Sequence, residues 1–354
     1  PPPALPRLLP PLASAGGLLP GGGKRLRVAY LSSDLGGHTV GSLVRGLFRL
    51  HDARRVEVIA CELKTEAKVL QGRGAWRSEM MAQVSEWVSL ADLPDEAAAS
   101  AIVSREPHVL IDLNGLSKGN RPGILLRRPA PLILSFLGYP ATSGGTAQMV
   151  VGDGVAAPPE LSSLFTERLL LLPGSYFLSD HPALYPRPQG TADESEALRC
   201  RGGEERTPAG GRCVALPGQG EVVLANFGQM YKIQPDLLDA WCRALATNEK
   251  GVLWLLRFPE SAVAGIEREF SARCSSKGVN ASRLVLSTLL PAEEHIVAKG
   301  LADFALDTLP FNGHTTGADT LWAGVPLISL PGDRMCGRAG ASMARGVGET
   351  AFLA

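Results

Sequence analysis

The sequence predicts an α/β protein made of two Rossmann-like lobes that face a cleft. Two stretches, 24–185 and 219–354, alternate short apolar runs with segments of helical spacing. Such alternation is typical of a parallel sheet flanked by helices, with ligands at the carboxyl ends of the strands. Residues 186–218 lose this periodicity and are dominated by Pro, Gly, Glu and Arg, which indicates a low-complexity insertion between the lobes.

Composition excludes several classes of protein. The 354 residues suffice for two domains, and 35 basic side chains balance 35 acidic ones, so no nucleic-acid partner is expected. There is no signal-peptide pattern and no apolar run near the roughly 18 residues that span a bilayer, so no membrane partner is expected either. Residues 1–23 are rich in Pro, Gly and Leu, which favours a linker, and a first residue of Pro suggests a fragment or a processed chain.

The cysteines argue against a metal scaffold. None of the six forms a C-x-x-C pair, so a zinc site or a disulfide framework is disfavoured and a reducing compartment fits better. Cys200 and Cys213 share one predicted loop and stay open as a candidate pair.

In the first lobe, a polar turn follows several of the predicted strands. The turns are 32–38, a turn that opens at Asn114, and 138–145. Each belongs at the ligand-binding edge of the sheet. The predicted strands are 26–31, 56–63, 87–90, 108–113 and 131–137, and the predicted helices are 40–50 and 95–105.

The second lobe repeats the alternation. Pro235 stands in the first turn of a predicted helix, where its missing N–H costs nothing. The predicted strands are 222–227, 252–258, 284–287, 302–309 and 325–330, and the predicted helical segments are 235–246, 262–274, one opening at 291–295, and 319–323.

The stretch 311–319 has the composition of an anion site between a strand and a helix. It contains His314, Thr315, Thr316 and Asp319 together with two glycines. The N–H groups of a helix N-terminus bind phosphate, and threonine hydroxyls cap the helix or donate to the ligand. Asp319 lies one turn further, where a carboxylate can accept from ribose hydroxyls. The alternative, that these residues are only helix caps, stays open for the threonine pair.

Six segments together resemble the catalytic region of the O-GlcNAc transferase family. They are 32–38, 137–140, 226–232, 254–259, 293–295 and 312–319, and their order and spacing match from residue 26 to about 345. The resemblance implies a glycosyltransferase-B fold, with an acceptor-side first lobe and a nucleotide-sugar-binding second lobe. It implies an inverting transferase that moves N-acetylglucosamine from UDP-GlcNAc to Ser or Thr hydroxyls of cytoplasmic or nuclear proteins.

The resemblance also implies the donor-side residues. No two aspartates stand two positions apart, as a metal-binding Asp-x-Asp pair requires, so metal-independent catalysis without a cofactor is expected. Lys232 would supply positive potential for the leaving diphosphate, although a solvated surface lysine is the commoner fate. The other implied roles are Gln229 on the diphosphate side, His295 stacked on uracil, His314, Thr315 and Thr316 on the phosphates, Asp319 on the ribose, and Gly138 and Pro140 in the sugar pocket.

On the acceptor side, His38 is the candidate general base, and Asp34 either orients it or accepts the proton through water. The sequence leaves open which group acts. Lys118 and Arg121 match basic positions of the acceptor groove, but alone they would suggest a solvated loop. His51 and His181 have no motif around them and are expected to be structural.

Some positions depart from the family pattern. Phe311 stands where the family has a cysteine near the N-acetyl pocket, and Ala292 and Ala298 replace basic residues, with Lys299 adjacent to the second. No repeat of about 34 residues is present, so tetratricopeptide repeats are expected upstream in a longer chain, and the family's C-terminal helices are expected downstream. Two rival hypotheses remain: a SPINDLY-like O-fucosyltransferase that uses GDP-fucose, and a catalytically inactive nucleotide-sugar-binding protein.

Overall fold

The computed structural model describes residues 25–64, 74–185, 217–218 and 220–349. The predicted linker 1–23, nearly all of the insertion 186–218 and the candidate pair Cys200–Cys213 therefore lie outside the described residues. The chain divides into two compact units, Pro1–Asp180 and His181–Ala354, called unit 1 and unit 2 below.

Unit 1 contains a parallel sheet with helices between its strands. The strands are β1 Leu26–Ser32, β2 Val56–Glu62, β3 Glu86–Ser89, β4 Val109–Asp112, β5 Leu132–Ser135, β6 Met149–Asp153 and β7 Arg168–Leu172. The helices are α1 Thr39–Leu50, α2 Gly74–Gln83, α3 Asp95–Val103 and α4 Pro122–Leu126, with a 3-10 helix at Pro159–Leu164.

Among the described residues of unit 1, seven strands pair in the order β3-β2-β1-β4-β5-β6-β7, and every pair is parallel. Val28 of β1 faces Val58 on one side and Val109 on the other. The central strands are apolar throughout because helices cover both faces of a parallel sheet. Ile59, Leu110 and Ile133 accordingly lie in the core.

Several elements of unit 1 were not predicted, namely β6, β7, α2, the short helix α4 and the 3-10 helix Pro159–Leu164. The strand β6 has only three apolar residues before a Gly, and β7 is an edge strand whose Leu170 and Leu171 are exposed. The helix α2 lacks a clear apolar stripe. Each of these segments has too weak a periodicity to be recognised from the sequence.

Unit 2 repeats this architecture. Its strands are β8 Val222–Asn226, β9 Gly251–Leu256, β10 Leu284–Ser287, β11 Phe304–Leu306 and β12 Leu327–Ile328. Its helices are α5 His181–Leu184, α6 Pro235–Ala246, α7 Val263–Ser275, α8 Ala292–Lys299, α9 Thr315–Trp322 and α10 Ala339–Gly346. Short 3-10 helices span Met230–Lys232, Glu260–Ala262, Ala281–Arg283 and Met335–Gly337.

Within the described part of unit 2, five parallel strands pair in the order β10-β9-β8-β11-β12. In both sheets the first strand of the unit lies between its second and fourth strands. Strand order therefore reverses at β1/β4 and at β8/β11, where the following segments leave toward opposite faces and a crevice opens. The predicted α/β class of two Rossmann-like lobes is confirmed.

The core of unit 2 lies on both faces of its sheet. On one face, α6 and α7 pack against Leu253 and Leu255. On the other face, Trp254 packs with Phe227 and with Ala298 of α8. The alternation of these side chains along β9 fixes which helix covers which face.

A disulfide joins Cys242 of α6 to Cys274 of α7. Cysteine spacing argued against a disulfide framework, and the structure differs because these two helices pack side by side. Both residues are fully buried and their Cα atoms lie 5.1 Å apart. A sequence separation of 32 residues gives no hint of this contact.

We expect Phe270→Ala to destabilise unit 2 by about 3–5 kcal/mol, because it leaves a cavity between α7 and the sheet. Phe270 is 1% exposed in that core. The matched control is Leu330→Ala, at a side chain that is 52% exposed, which should change stability by less than about 0.5 kcal/mol. Equilibrium urea unfolding measures both, and equal effects would contradict the assigned core.

Candidate functional site

A small pocket, open to solvent, lies where β8 and β11 diverge in unit 2. Its walls come from the segment that follows β8, from the segment that follows β11, and from the first turn of α9. Asn226, Gly228, Asp307, Gly313 and Thr316 are among its lining residues. Polar groups from three separate elements thus converge at the strand-order reversal, which is the usual ligand position in such sheets.

The helix α9 begins at Thr315, and His314 is its N-cap residue. The His314 side chain makes no capping hydrogen bond. Thr315 and Thr316 are the first two helical residues, so the alternative that they act as the N-cap is wrong. Thr320 donates from its hydroxyl to the Thr316 carbonyl at 2.7 Å within the helix. The N-terminus of α9 therefore retains the positive dipole end that binds anions.

The buried carboxylate of Asp307 holds the turn before α9. Its Oδ1 accepts from the backbone N–H groups of Thr308 and Gly313, each at 2.8 Å. Its Oδ2 accepts from the Ser329 hydroxyl at 2.8 Å. Burial raises the pKa of Asp307 above its usual range, while these donors and the nearby Lys232 oppose that rise.

Asn312 fixes the same turn from the inside. It is fully buried, and its side-chain amide donates to the Thr308 carbonyl at 2.8 Å and accepts from the Gly340 N–H at 3.1 Å. Its own carbonyl oxygen faces Lys232 Nζ at 3.0 Å and His314 Nδ1 at 3.1 Å. The structure thus brings Lys232 and His314, both predicted phosphate-side residues, to one backbone carbonyl.

Lys232 ends the 3-10 helix that follows β8. Its ammonium lies 4.5 Å from the centroid of the Phe311 ring, which also stacks on His314 at a centroid distance of 5.0 Å. Burial lowers the pKa of Lys232, against the opposing attraction of Asp307. Gln229, the N-cap of the same 3-10 helix, is exposed.

His295 lies on α8 and packs edge-on against Phe227, with ring centroids 5.8 Å apart. Its Nε2 is buried and has no hydrogen-bond partner among the described residues. Burial, together with the charge of Lys299, lowers the pKa of His295 to about 3. His295 is therefore a neutral imidazole at physiological pH, which suits an apolar stacking platform.

Asp319 is held by two basic side chains. Lys299 Nζ lies 2.8 Å from its Oδ2, and His181 Nε2 lies 2.8 Å from its Oδ1. Burial favours the neutral acid, but Lys299 and His181 outweigh it and lower the pKa of Asp319 to about 2. The structural role expected for His181 stays a prediction, and the structure adds its contact with Asp319. His51, by contrast, bonds the Tyr30 hydroxyl at 2.8 Å, as a structural histidine does.

Sequence reasoning missed His181 and Lys299 as parts of this site for different reasons. Lys299 follows His295 by four residues, so both lie on one face of α8, and that spacing is a usable signal. His181 lies 138 residues before Asp319, and nothing in its local sequence points to the contact.

In unit 1, polar groups converge at the β1/β4 reversal. The buried Asp34 accepts from Lys64 Nζ at 2.8 Å and from Asn114 Nδ2 at 3.2 Å. The side-chain oxygen Oδ1 of Asn114 accepts from the Ser33 N–H at 2.7 Å. Lys64 and Asn114 were not among the predicted site residues, because their partners, in the segment that follows β1, are distant in the sequence.

His38 is the N-cap of α1, and its Nδ1 accepts from the Val40 N–H at 3.2 Å. Neutral His38 therefore carries its proton on Nε2. The distance from His38 Nδ1 to Asp34 Oδ2 is 3.8 Å, too long for the hydrogen bond by which Asp34 would orient the ring. The roles of both residues in proton transfer stay predictions.

The loop that carries Gly138 and Pro140 is closely packed. A Cβ atom on Gly138 would lie 1.8 Å from the Leu113 carbonyl oxygen, so only glycine fits there. Further along the loop, Glu167 accepts from the Ser143 N–H and hydroxyl at 2.9 and 2.6 Å and from the Gly145 N–H at 3.1 Å.

The two predicted acceptor-side residues differ in their surroundings. Lys118 is exposed. Arg121 donates to Asp95 at 2.8 Å and to the carbonyls of Leu90 and Leu93 at 2.7 and 2.5 Å. Arg121 therefore stabilises the fold of unit 1 in addition to any ligand role.

Two further findings apply to the described residues only. Within those ranges, no three or more His, Cys, Asp or Glu side chains are arranged to hold a metal ion. Every helix there is too short or too polar to traverse a lipid bilayer.

The chain is similar in sequence to proteins of one known family. The model of glycosyl transferase family 41 matches residues 17–198 and 210–354. An Arabidopsis thaliana protein named as a probable UDP-N-acetylglucosamine–peptide N-acetylglucosaminyltransferase is 32% identical over 344 residues, which cover 96% of this chain and 33% of that protein. The Caenorhabditis elegans protein that bears the same enzyme name is 28% identical over 425 residues, covering 94% of this chain and 36% of the relative.

A solved structure of a mutant O-GlcNAc transferase from Thermobaculum terrenum superposes with a TM-score of 0.74 and 26% identity. The match covers 94% of this chain and 57% of that one. The chain spans about a third of the length of the two curated relatives.

We expect Asp307→Asn to lower the free energy of unfolding by about 1–3 kcal/mol and to weaken anion binding, because an amide NH₂ would then face backbone N–H donors. The matched control is Asp303→Asn, an exposed carboxylate that accepts one N–H, from Val223, at the opposite end of β11. It should cost less than about 0.5 kcal/mol. Chemical denaturation measures the free energy of unfolding of both variants. Equal losses of stability would contradict the role of Asp307.

Asp112, at the carboxyl end of β4, should have a pKa well above that of an ordinary aspartate. Burial raises its pKa to about 6, although the N–H groups of Asn114 and Gly115 oppose the rise. Since the folded pKa lies above the unfolded one, the stability it contributes is complete below about pH 4 and is lost as the pH rises through 6. Carboxyl-carbon NMR measures this, with exposed Asp52 as the control, whose pKa Arg54 lowers. Titration of Asp112 near pH 4 would contradict the burial argument.

Proposed function

Because the chain belongs to glycosyl transferase family 41, we propose that it is an inverting transferase that moves N-acetylglucosamine from UDP-GlcNAc to Ser or Thr hydroxyls of proteins. The observation that supports this proposal is a set of groups within unit 2. The first turn of α9 lines the pocket at the β8/β11 reversal, Lys232 and His314 face the Asn312 carbonyl, and α8 and α9 carry a neutral His295 and an ionised Asp319. Each group matches a different part of a uridine diphosphate.

The leaving diphosphate is the chemical difficulty of this reaction. When the bond from the anomeric carbon to the phosphate oxygen breaks, negative charge develops on the diphosphate. The N–H groups at the start of α9, the hydroxyls of Thr315 and Thr316 and the Lys232 ammonium would stabilise that charge. Donors that are already fixed in place stabilise a developing charge without reorganisation. We propose that this set replaces a divalent metal ion.

The Lys232 ammonium is well placed to meet a phosphate. It is partly desolvated, and among the described residues it donates to the neutral carbonyl of Asn312 at 3.0 Å. A phosphate oxygen would give a stronger, charge-assisted bond than that carbonyl. His314 and Gln229 are proposed to complete the diphosphate contacts.

His295 and Asp319 would bind the nucleoside. A neutral imidazole stacks on uracil without the cost of burying a charge, and the low pKa of His295 keeps it neutral. An ionised Asp319 accepts hydrogen bonds and so selects hydroxyl donors of the ribose. Gly138 and Pro140 are the proposed sugar-pocket residues of unit 1.

The acceptor hydroxyl must lose a proton as it attacks the anomeric carbon. His38 and Asp34 are the proposed acceptors of that proton. The neutral tautomer of His38 has its proton on Nε2, so His38 would accept only at Nδ1, after giving up its bond to Val40. Asp34, the second proposed acceptor, accepts hydrogen bonds from Lys64 and Asn114.

The partners follow from the same proposal. They are a UDP-sugar and Ser- or Thr-containing proteins of the cytoplasm or nucleus, with Lys118 and Arg121 on the acceptor side. Tetratricopeptide repeats that present those proteins are proposed for the longer chain.

We expect UDP to bind this chain more tightly than GDP, and Lys232→Ala to weaken UDP binding about 10- to 100-fold by removing a charge-assisted hydrogen bond. Calorimetry measures both nucleotides. The matched control is Lys250→Ala, at an exposed lysine of the same unit, which should leave the affinity unchanged.

Turnover of UDP-GlcNAc with a Ser-containing peptide, followed by mass spectrometry, then tests transfer. Preference for GDP would favour the GDP-fucose alternative. Binding of UDP without turnover in the full-length protein would favour the inactive-binder alternative, and failure to bind either nucleotide would reject the proposal.

A further inference from the structure

Lys299 is a buried cation that the proposed reaction does not use directly. Its side chain is 1% exposed, and its ammonium lies 2.8 Å from Asp319 Oδ2 and 5.5 Å from the centroid of the Phe227 ring. A lysine so completely removed from water is costly unless a carboxylate pairs with it. The burial of Lys299 therefore depends on its ion pair with Asp319.

This pair connects the two helices that carry the nucleoside contacts. Lys299 is the last residue of α8, one turn after His295, and Asp319 lies in the middle of α9. Phe227 packs against the His295 ring and also faces the Lys299 ammonium. Lys299 thus fixes the Asp319 carboxylate relative to the proposed uracil platform.

His181 completes the arrangement from a third helix, α5. An ionised carboxylate can only accept, so His181 Nε2 is the donor in its 2.8 Å bond to Asp319 Oδ1. The His181 ring is in turn packed between Tyr185 and Trp322, at centroid distances of 5.3 and 5.9 Å. Each oxygen of Asp319 therefore has one donor and keeps a further lone pair.

Asp319 can still reach a ligand. Its side chain retains 21% exposure, while Lys299 behind it has 1%. A carboxylate repels phosphate, so it selects the hydrogen-bond donors of a nucleotide. A fixed acceptor discriminates more sharply between a hydroxyl and a hydrogen than a mobile one, because it cannot turn away to water.

We propose that Lys299 and His181 are positioning residues that hold the Asp319 carboxylate as a reader of the ribose hydroxyls, so that Lys299 sets the selectivity for ribonucleotide over deoxyribonucleotide. The inference rests on the proposed binding of UDP by unit 2. It adds two residues, neither of which touches the ligand, and it assigns to them a measurable specificity.

The test is the ratio of affinities for UDP and for its 2′-deoxy and 3′-deoxy analogues, measured by calorimetry. The wild-type chain should prefer UDP over at least one analogue by about tenfold or more, the worth of a hydrogen bond to a charged acceptor. In Lys299→Met that ratio should fall to within about twofold. In His181→Phe, which preserves the aromatic packing, the ratio should fall part of the way.

The matched control is Lys277→Met. Lys277 also forms an ion pair on unit 2, with Asp239 at 3.1 Å, but that pair joins α6 to the end of α7. Its removal should leave the ratio unchanged. Since all three ligands share the diphosphate, a general weakening of the fold lowers every affinity together and does not alter the ratio.

The pH dependence of the ratio separates positioning from packing. The charged or titratable groups that face Asp319 are Lys299 and His181, with His295 nearby on α8. In the wild type the low pKa of Asp319 should keep the ratio constant between about pH 5.5 and about pH 8. In Lys299→Met, burial is opposed by His181 alone of the two basic neighbours and raises that pKa, so the ratio should be smaller at the lower pH.

The outcomes are distinct. If the wild type does not bind UDP, both the proposed function and this inference fail. If it binds UDP but ignores the deoxy analogues, or if Lys299→Met and His181→Phe keep the wild-type ratio, only this inference is overturned. Should Lys299→Met not fold, His181→Phe decides alone: an unchanged ratio rejects the proposal and a reduced one supports it.

Discussion

The site of unit 2 depends on how two diverging strands are held together at their ends. Asn226 donates from its side chain to the Leu306 carbonyl at 2.6 Å, which joins β8 to β11 where the sheet order reverses. Immediately beyond, the Asp307 carboxylate accepts two backbone N–H groups of the turn that leads to α9. Because these bonds are buried, each is expensive to break, and together they fix the turn from which α9 begins.

Electrostatics in unit 2 is arranged by burial rather than by net charge. Desolvation leaves His295 neutral, whereas Lys299 and His181 outweigh desolvation at Asp319 and leave it ionised. Two titratable groups on adjacent helices are thereby held in different protonation states. In unit 1 the corresponding reversal holds Asp34 between Lys64 and Asn114.

The central strands could be predicted because parallel strands buried on both faces are apolar throughout, as in 26–31 and 222–227. The segment 311–319 could be predicted because its polar residues are contiguous. Lys299 and Lys64 could not, since each resembles an ordinary lysine until the fold brings Asp319 and Asp34 to it. The edge strand β7 was missed because its exposed leucines give no alternation. The ligand roles stay predictions: side-chain geometry shows which hydrogen bonds a group can accept or donate, and the ligand itself is assigned by the proposed function.

The Lys299–Asp319 pair also has a consequence for how such a chain can diverge. A lineage that loses the lysine alone leaves a desolvated anion, and one that loses the aspartate alone leaves a desolvated cation; both intermediates are costly. Replacement of the two together by neutral residues avoids either state. Positions 299 and 319 should therefore covary among homologues that share this arrangement, and a paired exchange would mark the branch at which nucleotide preference changed.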